Sequence, residues 1–412
     1  MIAVHDALAM ILETVSPLAG ERIGLLQGVG RILAEEVRSE REVPPFANSA
    51  MDGYAVRWDD LHGASPEQPI GLTLLEVIQA GSVPTQAVTS GTASKIMTGA
   101  LIPHGADTVI RVEDSEEEDG RVWINRQERV GTHIRASGED IHRGQLVLEK
   151  GRVIRPAAIG LLASVGRSLV LVHQRPRVAI LSTGNELVEV DETLHPGQIV
   201  NSNAYTLAAA VREAGGAPVI LEIARDTQSE IRTALAEAVR HDVVLSTGGV
   251  SVGDFDFVKA AMDELGIHRL FWQVAQRPGK PLTFGLLRER PYFGLPGNPV
   301  SALVCFYLYV RPALYRMMGH IKLFLPVIAA RVGADIPKAK GLTEFVRCRL
   351  ARGDGGYEVV STGSQSSGVL SSLSLGEGLI IGPAELPLLP KGLTVKVLVL
   401  DSEQFATAEF PF

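Results

Sequence analysis

Apolar residues near the amino terminus recur at helical spacing: Ala7, Leu8, Ile11, Val15 and Leu18 fall on one stripe. The spacing predicts an amphipathic helix, closed by Pro17 and Gly20. Between 41 and 130 the pattern changes to short β-like runs at 71–80, 95–97, 108–112 and 121–124, punctuated by Gly and Pro. Helical spacing returns at 156–165. The expected organisation is a discontinuous α/β linker domain, 1–40 plus 131–174, interrupted by a β-rich inserted domain, 41–130.

The stretch 175–322 alternates strand and helix. Strands are expected at 178–181, 218–223, 243–245, 269–274, 282–286 and 292–295, and helices at 204–215, 228–240, 257–265 and from Val300 onward. Short links between alternating elements predict a mostly parallel, doubly wound α/β domain. From 323 to 412 only short strands alternate with Gly/Pro turns, as at 344–350, 356–360 and 395–400, so a carboxy-terminal β-barrel is expected there. The fold class is thus α/β multidomain.

Composition narrows the picture. With 46% hydrophobic and 21% charged residues, the chain can bury a large core. No stretch approaches the roughly 20 apolar residues of a membrane helix. The opening MIAVHDALAMILETV lacks a basic segment and carries Asp6 and Glu13, unlike a secretory signal. Cys305 and Cys348 lie far apart in apolar or strand-like contexts, which argues against a disulfide framework or zinc site and suits a reducing cytoplasm. A net charge of −8, with no basic stripe, argues against nucleic acid or anionic membrane as partner. A small anionic ligand needs only a local basic spot.

In an open parallel sheet, ligands bind beyond the carboxyl ends of the strands. Four loops arrive at that edge with unusual residues. Ser182-Thr183-Gly184-Asn185-Glu186 combines hydroxyls with a glycine that permits close backbone approach. The stretch from Ser246 to Asp256, STGGVSVGDFD, echoes it and adds Gly248, Gly249 and Gly253 before an expected helix start. Its two carboxylates, Asp254 and Asp256, are unexpected in a phosphate cradle, and helix capping accounts for only one of them. Gln276-Arg277-Pro278-Gly279-Lys280-Pro281 places two cations around a stiff turn. In isolation this reads first as two solvated cations on a hairpin. Pro296-Gly297-Asn298-Pro299 opens a long apolar helix, an architectural start or an anion site. Convergence on one edge makes the four together a candidate anion site.

Ordered along the chain stand PPFANSAMDGYAV, MTGALIP, GEDI, STGNEL, RDT, STGGVSVGDFDFVK, RPGKP, LPGNPVSA and GSQSSGVLSSLSLGEGLI. Together they resemble the molybdopterin molybdenumtransferases, the MoeA family, also represented by the carboxy-terminal part of gephyrin. The resemblance implies an elongated, four-domain homodimer whose cleft lies between the doubly wound domain of one subunit and the β-rich insertion of the other. It implies molybdenum cofactor biosynthesis: molybdate and adenylylated molybdopterin as substrates, Mg²⁺ assisting, and AMP released. Other proteins of that biosynthesis would be further partners.

By motif position, Glu186, Asp226 and Asp256 are implied as catalytic acids and metal ligands, with Asp254 as a cap or support. Arg277 and Lys280 would hold molybdate or phosphate. Asp52, Thr98 and Asp140 would come from across the dimer, and Arg347 and Ser367 would reach toward the cleft. Substrate contacts are further implied for Ser182, Thr183, Gly184, Asn201, Gly248, Gly249, Ser251, Gly279, Pro296, Gly297 and Asn298. Asn185 stands where many members carry Asp and is excluded as a metal ligand. Arg277 stands where Lys is frequent. Two other readings remain at this point. One is a pterin carrier without catalysis; the other is an enzyme that adenylylates molybdopterin with ATP.

Overall fold

A computed structural model describes residues 1–248, 266–353 and 355–401. The expected helix at 257–265 and the residues Gly249, Ser251, Asp254 and Asp256 lie outside the described residues. The chain forms two compact units: Arg22–Val170, and Met1–Glu21 with the chain from Leu171 onward.

Helix α1 (Val4–Thr14) forms where the apolar stripe predicts it. Its inward residues Ala7, Ile11 and Val15 enter the core that also holds Val178, Phe284 and Tyr309. Residues 1–21 therefore belong with the α/β unit, which differs from their expected grouping with 131–174. An amphipathic stripe settles against the largest apolar surface it can reach, and sequence proximity does not say where that surface is.

In the Arg22–Val170 unit, six strands form one curled sheet. They are β1 (Gly53–Val56), β2 (Ile70–Ile78), β3 (Thr92–Ile96), β4 (Thr108–Arg111), β5 (Ser115–Glu118) and β6 (Arg121–Ile124), in the order β4-β1-β3-β2-β6-β5. Strand β1 is buried on both faces. Tyr54 and Val56 enter one apolar core, and Ala55 enters the other, as the two-residue period of a strand requires. Helix α2 (Pro156–Ser164) begins at a proline, where the missing N–H costs nothing.

The α/β domain has strands β7 (Arg177–Ser182), β8 (Ala217–Ile220), β9 (Val243–Thr247), β10 (Ile267–Phe271), β11 (Gln276–Arg277), β12 (Thr283–Leu287) and β13 (Arg290–Leu295). All but β11 lie in one sheet, ordered β8-β7-β9-β13-β12-β10. The pairs from β8 through β13 are parallel, and β12 and β10 run antiparallel at one edge. The reversal follows from the link: Arg288 and Glu289, both at positive φ, make a tight hairpin between β12 and β13. So short a link cannot connect parallel strands.

Helices cover both faces. Val178 and Ile180 point into the core shared with α1 and with α3 (Ser202–Glu213), whereas Ala179 and Leu181 meet α4 (Gln228–Ala238) on the other side. The long helix expected from Val300 is α5. It runs through Pro299–Cys305, a π turn at Phe306–Val310, and Arg311–Met317. Pro312 has no N–H to offer the preceding turn, and the ladder widens just before it.

The carboxy-terminal strands β14 (Val327–Val332), β15 (Thr343–Gly353), β16 (Gly356–Ser361), β17 (Gly378–Gly382) and β18 (Thr394–Val399) pair in a closed ring, β15-β16-β14-β18-β17-β15. The expected β-barrel is present, with one short helix among its described residues, Ser371–Ser374, that strand periodicity had no means to reveal. Both cysteines are free and buried. No helix among the described residues is long and apolar enough to cross a membrane.

Candidate active site

Parallel strands β7, β9 and β13 end side by side, and their terminal loops wall a concavity of about 480 Å³. Thr183 donates its backbone N–H to the Thr247 carbonyl, joining the two Ser-Thr-Gly loops. Gly248 completes the join at φ +89, where a Cβ would lie 2.3 Å from the Thr183 carbonyl oxygen. Only glycine fits that position. Glu186, Asn201, Gly297 and Asn298 also line this space.

The buried polar atoms here are incompletely paired. Ser182 Oγ donates to Asn201 Oδ1 at 2.8 Å. Asn201 occupies the cap position of α3 but makes no side-chain cap bond, and its buried Nδ2 has no partner among the described residues. Thr183 Oγ1, also at the cavity wall, is in the same condition. A buried polar group left unpaired is costly, and in a native cavity it marks a place awaiting a ligand.

Two residues with no role assigned from the sequence organise these loops. Asn203 Nδ2 donates to Thr247 Oγ1 at 2.9 Å and to the Gly297 carbonyl at 2.7 Å, tying β9 to the Pro296-Gly297-Asn298 loop. Its place in Asn201-Ser202-Asn203, at a helix start, was the available signal, but it reads as capping. Arg225 Nη1 donates to the carbonyls of Asn185 and Leu187 at 3.3 and 3.0 Å and so clamps the loop that carries Glu186.

The acids are spread. Glu186 is exposed at the cavity rim. Asp226 is half-buried, and its Oδ2 accepts the Asn185 N–H at 3.1 Å while Asn185 Oδ1 accepts the Asp226 N–H at 3.2 Å. Asn185, excluded as a ligand, thus has a structural use beside Asp226. No cluster of three metal-ligating side chains occurs among the described residues. Asp256, the third acid, lies outside them. The donor set is nevertheless chemically apt, since carboxylate oxygens suit a hard divalent cation.

A second concavity, of about 610 Å³, lies beside the first and shares Asn298. Arg277 lines it from the end of β11, Gly279 and Lys280 from the turn that follows, Pro296 from the next loop, and Ser367 from the barrel domain. Both cations are exposed. Their surroundings differ: Arg277 Nε lies 3.8 Å from Glu344 Oε1 on β15, whereas Lys280 makes no ion pair among the described residues.

Arg347 does not reach this space. Its side chain is fully buried on β15, and Nη2 donates to the carbonyls of Ser364 and Ser366 at 2.8 and 3.2 Å. Burial lowers its pKa from the ordinary guanidinium value. Arg347 therefore holds the loop that presents Ser367, whose carbonyl accepts the Val300 N–H at 3.2 Å. Of the two, Ser367 is the one that lines the cavity.

In the Arg22–Val170 unit, Asp52 Oδ1 accepts both the Thr98 N–H and the Thr98 hydroxyl, each at 2.7 Å. Those bonds, the backbone one foremost, hold the Asp52 carboxyl below its ordinary pKa. Asp140 is exposed, and its N–H donates to the Val43 carbonyl at 3.0 Å. No hydrogen bond links it to Asp52 or Thr98 among the described residues.

Fold and site together define a multidomain protein whose doubly wound domain offers a polar, partly unsatisfied cavity next to a cationic one. Comparison with known proteins places it further. Residues 2–166 match the family described as "MoeA N-terminal region (domain I and II)". Residues 179–316 match "Probable molybdopterin binding domain", and 329–400 match "MoeA C-terminal region (domain IV)". The chain is 37% identical to the molybdopterin molybdenumtransferase of Nostoc sp. over 97% of its own length and 94% of the relative's. It is 34% identical to that of Staphylococcus epidermidis over 98% and 97%. A crystal structure of the molybdopterin biosynthesis MoeA protein from Pyrococcus horikoshii OT3 superposes with a TM-score of 0.82 at 31% identity, covering 97% of this chain and all of that one. The chain belongs to the MoeA family.

Proposed function

We propose that this protein is a molybdopterin molybdenumtransferase: it inserts molybdate into adenylylated molybdopterin, with Mg²⁺-dependent cleavage of the pyrophosphate bond and release of AMP. The observation that carries the reading is the juxtaposition of the two cavities. One offers unpaired Thr183 and Asn201 to a heteroaromatic ligand rich in donors and acceptors, and the next offers Arg277 and Lys280 to an oxyanion. The relatives from Nostoc and Staphylococcus epidermidis, named as molybdopterin molybdenumtransferases, agree with it.

In this reading the pterin and its phosphate occupy the first cavity, against the backbone of Gly184, Gly248 and Gly297. Ser182 fixes Asn201 so that Nδ2 points to the ligand. Gly249 and Ser251, which lie outside the described residues, would also contact the ligand, as their motif implies. Lys280 contributes a compact positive charge to molybdate, and Arg277, shared with Glu344, contributes a weaker one. Glu186, Asp226 and Asp256 would hold Mg²⁺, which when bound neutralises phosphate charge and polarises the bond to be broken. Asp52, Thr98 and Asp140 act from the second subunit of a homodimer in the cytoplasm. Asp52 remains ionised, because Thr98 stabilises its charged form.

The test is AMP release from adenylylated molybdopterin. Release should require both molybdate and Mg²⁺, and Glu186→Ala should lower it by about a hundredfold or more. Unchanged activity in that variant would remove the acid from the mechanism. Pyrophosphate release from ATP and unmodified molybdopterin would instead establish the adenylylating reaction.

A further inference from the structure

Beneath the cationic turn lies a buried polar chain that enters the wall of the second cavity at Gln276. Gln276, Cys305 and Tyr309 are each fully buried. The Tyr309 hydroxyl donates to Gln276 Oε1. Gln276 Nε2 in turn donates to the Pro278 carbonyl at 3.0 Å and reaches the Gly279 carbonyl at 3.4 Å. Cys305 Sγ donates to the same Gly279 carbonyl at 3.6 Å. The turn is pressed against this chain without slack: at Gly279, φ +88, a Cβ would lie 2.4 Å from Cys305 Sγ and 2.8 Å from Gln276 Nε2.

Tyr309 sits in the π turn of α5. Each residue of an ordinary helix advances the side-chain direction by about 100°, so one widened turn redirects what leaves it. Here the redirected side chain ends on Gln276. A π turn at a working site is a common pairing, and this one lies under the only described turn that sets Arg277 and Lys280 around one cavity.

We infer that Tyr309 and Gln276 are positioning residues for the oxyanion: together they fix the carbonyls of Pro278 and Gly279, and so the separation and direction of Arg277 and Lys280. The inference rests on the reading that this turn holds molybdate. Neither side chain meets the anion. Their effect is on the geometry of a cation pair, where small misplacement is costly.

Calorimetric titration with molybdate alone, together with steady-state half-saturation for molybdate and for adenylylated molybdopterin, tests this. Tyr309→Phe should weaken molybdate by about tenfold, leave half-saturation for the pterin nucleotide unchanged, and keep a cooperative melt. Gln276→Met should act in the same direction and more strongly, and it serves if Tyr309→Phe does not fold. A purely structural role predicts a lower melting temperature with unaltered molybdate affinity in the folded fraction, or equal shifts for both substrates. Either result overturns the inference. Lys280→Met separates the two levels. If it leaves molybdate binding intact, the turn is not the oxyanion site and both the reading and the inference fall. If it abolishes binding while Tyr309→Phe and Gln276→Met do not, only the inference falls.

Discussion

The two cavities of the α/β unit are built on opposite principles. In the first, between the strand ends, buried Thr183 Oγ1 and Asn201 Nδ2 have no partner among the described residues. In the second, beneath the Arg277–Lys280 turn, Gln276 is paired at both ends of its amide, and Tyr309 and Cys305 are paired as well. One site keeps hydrogen-bonding capacity in reserve for a ligand that can use it. The other uses its capacity internally, to hold two charges still. A neutral ring with many donors and acceptors suits the first arrangement, and a small dianion suits the second.

The largest expected effect probes the wall of the first cavity. Gly248→Ala places a Cβ 2.3 Å from the Thr183 carbonyl at a φ that disfavours side chains, so the variant should lose about 2–4 kcal/mol in chemical denaturation. Wild-type stability would mean that the two Ser-Thr-Gly loops are free to separate. Next comes Gln276→Met. It strands a buried Tyr309 hydroxyl and the Pro278 carbonyl, which should cost about 1–3 kcal/mol. A neutral result would dissolve the contrast between the cavities.

Thr183→Val should do the reverse. It replaces an unpaired buried hydroxyl with a methyl of the same shape, so the ligand-free protein should gain about 0.5–1 kcal/mol while pterin binding weakens. Destabilisation on denaturant titration would show that the hydroxyl is already satisfied. The smallest effect concerns charge. Glu344→Gln keeps an acceptor for the Ala339 N–H and removes the negative charge beside Arg277. Molybdate should bind about threefold tighter, a gain of roughly 0.6 kcal/mol. Weaker binding would mean that Glu344 orients Arg277 more than it neutralises it.

Much of the fold was legible because it is local. Strand β6 has the bounds its apolar run predicts, and α5 begins at the proline that suits a first helical turn. The alternation of Val178, Ala179, Ile180 and Leu181 between two cores repeats what a run of apolar residues in a doubly wound sheet implies. The antiparallel edge was harder, since it depended on a hairpin at Arg288 and Glu289, residues with no strong turn signature. Candidate loops were found through their glycines and clustered charges. Asn203, Arg225, Gln276 and Tyr309 were missed because each reads as an ordinary cap, surface cation or core residue until its partner is known.

By itself the sequence determined which loops arrive at the working edge of the sheet, which of them carry cations and acids, and the family to which the chain belongs. Those are properties of spacing and residue type. Tertiary structure alone decided that α1 joins the α/β core, that Arg347 is buried and supports the Ser367 loop, and that Arg277 is shared with a carboxylate while Lys280 is not paired among the described residues. It also decided that Ser182 uses one end of the Asn201 amide and leaves the other open. Hydrogen-bond satisfaction and charge compensation are set by neighbours brought together from distant parts of the chain, and no local pattern of residues encodes which of them will be left without a partner.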